Sequence, residues 1–310
     1  MTHILALCGG VGGAKLAHGL SACLSPEQLC ILTNTGDDFV HLGLHISPDI
    51  DSVAYALAGL SDPVRGWGRR DESWQFMAAL GQLGGEDWFN LGDRDLATHV
   101  LRTQYIAGGD TLTKATQRLT CAMGIAHNIV PMTDDAVRTQ LLTKDGWLDF
   151  QDYFVREQCQ PTVADIRFQG AQQASVNPLA LDFKDNGASV AVLIMPSNPL
   201  LSIDPILALS DINNLLTGRR VIAISPLIGE GAIKGPTAKL MRELGLPCNA
   251  LGIAMHYQTR IDTLIIDEKD TALRTDIEAL GIEVQCANIL MRNETERAQL
   301  AQYCLSILSS

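Results

Sequence analysis

The stretch Ile4-Leu5-Ala6-Leu7-Cys8-Gly9-Gly10-Val11-Gly12-Gly13-Ala14-Lys15-Leu16 decides the fold. An apolar run breaks into four glycines around one valine, and a helix-like pattern begins at Ala14. A first parallel strand hands over to a helix in this way. The N-terminus of such a helix favours an anion, because its exposed N–H groups carry partial positive charge. Glycine adds access to positive φ and places no Cβ between backbone and ligand. The spacing is neither G-x-G-x-x-G nor G-x-x-x-x-G-K-[ST]. The loop therefore reads either as a phosphate cradle or as a tight structural turn, and it names neither a dehydrogenase nor an ATPase. Lys15, one turn into the helix, stands either near that phosphate or on a solvated face.

Working outward, runs at Ile4–Cys8 and Leu29–Thr33 flank a helical pattern from Ala14 to Leu24, which makes a βαβ unit. An extended piece over Val40–Ile46 follows, and Pro48 opens a helix, the position where proline is best tolerated. From about Gly59 to Met123 the apolar spacing is helical in three pieces, Trp74–Leu83, Asp93–Tyr105 and Thr111–Cys121. This block interrupts the alternation and reads as a helical insertion, about 59–123. Strands resume at His127–Pro131, Val137–Thr143 and Val163–Phe168. Ser189–Met195 and Val221–Ser225 are continuous apolar runs, as parallel strands covered on both faces require. A helix over Thr237–Leu244, a strand over Thr263–Ile266, a helix over Thr271–Leu280, a strand over Glu283–Cys286 and a helix over Glu294–Leu308 close the chain. The alternation predicts an α/β fold: a Rossmann-like, doubly wound, mostly parallel sheet in a single domain over residues 1–310.

The 310 residues suffice for a substantial core, and 46% hydrophobic against 19% charged residues excludes a disordered chain. A formal net charge of -12 opposes broad binding to nucleic acid, whose footprint is a basic face. The eight cysteines show no C-x-x-C and no zinc spacing, which suits reduced thiols in a cytoplasmic protein. No apolar run approaches the roughly 20 residues of a membrane span.

Four clusters follow predicted strands, where an open parallel sheet binds its ligands. The first is the glycine loop. The second is Thr33-Asn34-Thr35-Gly36-Asp37-Asp38, with Pro48-Asp49-Ile50-Asp51 close behind. One carboxylate from each segment suits Mg²⁺, which takes oxygen ligands and bridges substrate phosphates. Asx-turn and helix-dipole duties account for the same acids without a metal. The third, Asn90–His99, contains an i, i+4 pair, Asp95 and His99, that is ordinary helix chemistry. The fourth is Pro196-Ser197-Asn198-Pro199, echoed after the next strand by Ser225-Pro226-Leu227-Ile228-Gly229 and Lys234-Gly235-Pro236. These loops exceed the usual two to six residues or so of a mere connection. No G-x-S-x-G elbow or Ser/His/Asp order supports a covalent nucleophile. The residues read as a small-molecule phosphate or nucleotide binder that moves a phosphoryl-type group with Mg²⁺.

Together these motifs, with Gly66-Trp67-Gly68, Leu91-Gly92-Asp93-Arg94-Asp95-Leu96-Ala97-Thr98-His99 and Pro131-Met132-Thr133-Asp134-Asp135, resemble the 2-phospho-L-lactate transferases of coenzyme F-420 biosynthesis. The order is colinear from Ile4 to about Asp270. The resemblance implies that a guanosine diphospho-linked small acid meets 7,8-didemethyl-8-hydroxy-5-deazariboflavin, whose ribityl hydroxyl attacks the phosphorus bearing the acid and releases GMP. It implies Asp38 and Asp51 as the catalytic pair and Mg²⁺ ligands, with Asp51 also on the deazaflavin. It implies Gly9, Gly10, Gly12, Gly13, Lys15, Asn34, Ser197, Asn198 and Lys234 around the guanosine diphosphate, and a homodimer in the cytoplasm. Asn90 occupies a deazaflavin-contacting position where some relatives carry a basic residue, and Glu230 stands where glycine is usual. The competing class is a non-catalytic regulator of the same glycine-loop fold that binds nucleotide sugars. The Asp49/Asp51 helix start and the Leu91–His99 motif favour the transferase.

Overall fold

A computed structural model of the protein describes residues 3–183, 190–229, 231–232 and 236–308. Ser189, Glu230, Lys234 and Gly235, named above, lie outside the described residues. Seven strands build the central sheet: β1 (His3–Cys8), β2 (Leu29–Thr33), β3 (Asn128–Pro131), β4 (Val190–Ile194), β5 (Val221–Ile224), β6 (Thr263–Asp267) and β7 (Glu283–Ala287). Their spatial order is β3-β2-β1-β4-β5-β6-β7, and every neighbouring pair is parallel. This is the doubly wound arrangement that the alternation predicts, with its order reversing between β1 and β4.

The inner strands are mostly apolar because both faces are covered. Successive side chains of a strand point to opposite faces. Accordingly Leu5 and Leu7 join one buried cluster with Leu32, Val192 and Ile194, while Ile4, Ala6 and Cys8 join another with Ile31 and Leu193. Helices α1 (Gly10–Ser21) and α2 (Pro48–Leu57) pack against each other on the second face, beside the C-terminal helix Glu294–Leu308.

The three helices read between Gly59 and Met123 are α3 (Gln75–Gln82), α4 (Asp93–Ala107) and α5 (Leu112–Ala122). Of these, α5 packs on β3 and α4 packs on α5. Some elements differ from their reading. Val40–Ile46 is a hairpin of Phe39–His41 and Leu44–Ile46, turned at Leu42 and Gly43 with φ of 52° and 75°. The runs at Val137–Thr143 and Val163–Phe168 leave the main sheet. Their strands, Arg138–Thr143 and Asp165–Gln169, pair antiparallel with each other, and Arg138–Thr143 also pairs with Gly146–Asp149, in a separate three-stranded sheet. Along each of them more and less buried residues alternate, whereas β2, β4 and β5 are buried almost throughout. The helix read at Thr271–Leu280 is a 3₁₀ turn over Glu268–Leu273 followed by Arg274–Glu278. All eight cysteines are free thiols. Among the described residues no helix is long and apolar enough to cross a membrane.

Gly19 tests the α1 packing away from the site. A Cβ there would stand 2.6 Å from the Arg297 carbonyl carbon, in the C-terminal helix, and nearer still to its oxygen. Alanine is the better helix former by about 1 kcal/mol. Overpacking against a backbone carbonyl costs typically about 1–3 kcal/mol and outweighs that gain. Gly19→Ala is therefore expected to lower the urea midpoint; an unchanged or raised midpoint shows that the two helices can part freely.

Candidate active site

The carboxyl ends of β1 and β4, where the strand order reverses, open on a cavity of about 630 Å³. That volume suits a small-molecule ligand. Gly9, Gly10 and Gly12 line it from one side with Lys15, and Ser197 and Asn198 line it from the loop after β4. Each glycine has a local reason. Gly10 carries φ of 62° as the chain turns into α1, and a Cβ on Gly12 would strike the Pro196 carbonyl. Gly13 lies beneath the wall, where a Cβ would come within 2.6 Å of Ser197 Oγ and 2.7 Å of Cys8 Sγ. The glycines let two loops close on each other, and only some of them face the cavity.

Asp49 completes this corner. Its Oδ1 accepts from the Gly10 amide at 2.6 Å, and its Oδ2 accepts from Asn34 Nδ2 at 3.0 Å. The position at the start of α1 that the loop pattern assigns to phosphate is thus partly filled by the protein's own carboxylate. Gly9 N donates to Ser197 Oγ at 3.2 Å. The next amides, those of Val11 and Gly12, meet no side-chain acceptor among the described residues. Burial pushes the Asp49 carboxyl up to about 6, against the hydrogen bonds from Asn34, Gly10 and Ser202.

Asn34 is wholly buried and stands behind the wall. It also donates to the Leu201 carbonyl at 3.3 Å and accepts from Gly36 N at 2.8 Å, so it supports the site and does not line it. Lys15 Nζ donates to the Met291 carbonyl at 2.9 Å, which ties it to the cavity rim and away from open solvent. Asn198 spends its Oδ1 capping the turn Pro199–Ile203, through the amides of Leu200 and Leu201. Asn90 is exposed at the rim of the cavity.

Asp38 stands behind the wall. It is 2% exposed and absent from the cavity wall, and its Oδ2 accepts from Ser47 Oγ at 2.8 Å. Burial pushes its carboxyl up to about 8. Asp38 and Asp51 therefore do not share a face of the cavity. The groups that meet Asp51 come from α4. Arg102, 1% exposed, grips Asp51 with both terminal nitrogens, Nη1 to Oδ2 at 3.1 Å and Nη2 to Oδ1. Arg102 Nη1 also lies 3.3 Å from His99 Nδ1. Guanidinium has only donors, so His99 Nδ1 is the acceptor and its hydrogen sits on Nε2. That Nε2 faces Asp95 Oδ1 at 3.4 Å, and Tyr55 Oη donates to the same oxygen at 2.5 Å. Burial works against the charge on Asp95, but hydrogen bonds from His99 and Tyr55 prevail and hold its carboxyl below the ordinary value.

Asp51, Asp95 and His99 offer ligand atoms within 4.8 Å of one another, and all three line the cavity. Two carboxylates converging on one point fit a hard divalent cation. His99 fits less well, since the hydrogen on Nε2 would have to leave. Sequence reasoning kept Asp95 and His99 as helix chemistry and missed Arg102. The signal was present: residues 95, 99 and 102 lie four and three apart, on one face of α4.

The chain carries a family signature throughout this region. The model of the family described as 2-phospho-L-lactate transferase CofD matches residues 4–298. The chain belongs to the CofD family. A 2-phospho-L-lactate transferase of Methanosarcina acetivorans is 37% identical over 307 residues, covering 99% of each chain. A phosphoenolpyruvate transferase of Streptomyces coelicolor is 34% identical over 313 residues, covering 98% of each. A crystal structure of a member of the upf0052 family from Bacillus halodurans shares the fold with a TM-score of 0.65 at 12% identity, over 98% of each chain. CofD membership spans the glycine loop, the Asp51 corner and α4 alike.

Two variants separate the roles of the buried charges. Asp38 binds its proton more tightly folded than unfolded, so its share of stability declines as pH rises from about 4 to about 8. Asp38→Asn lacks that ionisation. In chelator-treated protein its stability relative to wild type is expected to improve between pH 5 and pH 8.5 by urea denaturation, and a constant difference contradicts the burial argument. Arg102→Met strands the Asp51 carboxylate and is expected to cost about 3–5 kcal/mol. A loss under 1 kcal/mol means that Asp51 finds water in place of the guanidinium.

Proposed function

We propose that this chain transfers a phosphorylated small carboxylic acid from a guanosine diphospho-donor to the ribityl hydroxyl of 7,8-didemethyl-8-hydroxy-5-deazariboflavin, with Mg²⁺ bound. The observation that carries the reading is the pairing, across one cavity, of the Val11 and Gly12 amides with the Asp51–Asp95 carboxylates. The first suits a diphosphate and the second suits the cation that accompanies it. An aromatic wall of Trp67, Phe89, Phe150 and Phe154 faces the same space, and a planar heterocycle stacks well on such a surface. The relatives' names, phospholactate and phosphoenolpyruvate transferase, bracket the acid.

In this reading the ribityl oxygen bonds to the phosphorus that carries the acid. The bond from that phosphorus to the bridging oxygen breaks, and GMP leaves with the oxygen. Asp51, its orientation fixed by Arg102, accepts the hydroxyl hydrogen. The amides after Gly10 hold the diphosphate in line, and His99 steadies Arg102 from behind. Mg²⁺, held by Asp51 and Asp95, would neutralise charge on the phosphate oxygens. Positioning and charge stabilisation are the main demands of phosphoryl-type transfer, and neither needs a covalent nucleophile.

Purified protein incubated with the deazaflavin, Mg²⁺ and each guanosine-linked acid is expected to yield GMP and the phosphodiester by mass spectrometry. Asp51→Asn is expected to lower turnover about 10²–10⁴-fold while keeping a cooperative melt. Absence of product with every donor sinks the transferase reading, and wild-type turnover in Asp51→Asn removes Asp51 from its role.

A further inference from the structure

The loop between α2 and α3 carries a cation toward the cavity in an unusually prepared form. Arg65 lines the cavity wall. Its guanidinium carbon lies 4.9 Å from the centre of the Trp74 ring and 5.4 Å from that of Trp67. Its Nη2 donates to the Arg69 carbonyl at 2.8 Å and pairs with Asp62 Oδ2 at 2.8 Å. Asp62 also accepts from the backbone amides of Val64 and Arg65. Both hydrogens of Nη2 are thus used and Nε is buried, while Nη1 meets no acceptor among the described residues.

The loop is fastened to the reacting end of the cavity. Glu72 accepts from the amides of Arg94 and Asp95 at 2.8 Å each, at the start of α4. Arg69 stacks over Tyr55, the residue that donates to Asp95. Arg65 therefore stands on the Asp95 side of the cavity. Lys15 belongs to the glycine-loop side and is tied to Met291. A donor whose diphosphate lies along the glycine loop turns the group on its terminal phosphorus toward Arg65. A cationic Nη1 with no protein acceptor matches one oxygen of a carboxylate.

We propose that Arg65 reads the carboxylate of the transferred acid and so selects acid-bearing guanosine donors over neutral ones. This rests on the transferase reading of the same cavity. Trp67 and Trp74 hold the fork in place, and Asp62 balances its charge until the donor arrives.

The test is calorimetric binding to the whole protein of three ligands: GDP, a guanosine diphospho-linked lactate, and the methyl ester of that lactate. Wild type is expected to bind the free acid about 10- to 100-fold more tightly than the ester, the range for hydrogen bonds to a charged group. Arg65→Gln is expected to bring acid and ester to equal affinity while leaving GDP binding unchanged. Arg65→Lys, which keeps charge but loses the fork, is expected to recover only part of the difference. Equal affinity of wild type for acid and ester overturns the assignment, as does a variant that weakens acid, ester and GDP by one common factor. Failure of wild type to bind any of the three overturns the transferase reading itself, and this inference with it.

Discussion

The carboxylate of Asp49 is the contact on which the rest of the site depends. It bonds the first amide of α1, takes a hydrogen bond from Asn34 after β2, and belongs to the first turn of α2. Three chain segments are thereby fixed to one group. Helix starts leave amides unpaired, and a buried start needs a partner for them. Asp49 supplies one at the cost of burying its own charge, which the helix field and the surrounding donors offset. Because α2 is docked this way, Asp51 projects two residues later toward α4, where Arg102 meets it.

Under the proposed function, that docking also explains how an acidic chain would accommodate an anionic donor. Net charge governs long-range behaviour, whereas recognition is decided over a few ångströms. Within the cavity the acids are disposed in two ranks. Asp38 stands behind the wall, as the amide Asn34 does, and takes a hydrogen bond from the Ser47 hydroxyl. Asp51 and Asp95 stand in the wall, Asp51 gripped by Arg102 and Asp95 bonded by Tyr55. Arg65 and Lys15 are the lysine and arginine side chains that line the wall among the described residues, and both are tethered.

The sheet was legible because burial on both faces leaves little freedom: β1, β2, β4 and β5 must be apolar without interruption, and they are. The glycine loop was legible as a strand-to-helix turn for the same reason. Its detailed duty was not, since the pattern cannot distinguish a glycine that admits a ligand from one that admits a neighbouring carbonyl, as Gly12 does. That Asp37 lines the cavity while Asp38 does not was not legible, because adjacent acids on a turn point in different directions and only the fold decides which one reaches a cavity. Arg102 escaped notice because an arginine on an amphipathic helix is ordinarily solvated. Nothing in local sequence announces that its partner, Asp51, lies 51 positions away. The separate sheet around Arg138–Thr143 was visible as strands, but its pairing was not.

The central position of β1 has a consequence for synthesis. Its two neighbours are β2, which follows at once, and β4, which arrives only after the whole helical block and the small antiparallel sheet. Gly9 and Ser197, hydrogen-bonded across the switch point, are 188 positions apart. At about 5–20 residues per second, a ribosome takes roughly 10–40 s to bridge that interval. Throughout it one edge of β1 has no partner and the glycine loop has no opposing wall. Such an unpaired parallel edge is open to wrong pairing, so production of this enzyme is governed by how the nascent N-terminal half is protected and by the pace at which β4 is delivered to it.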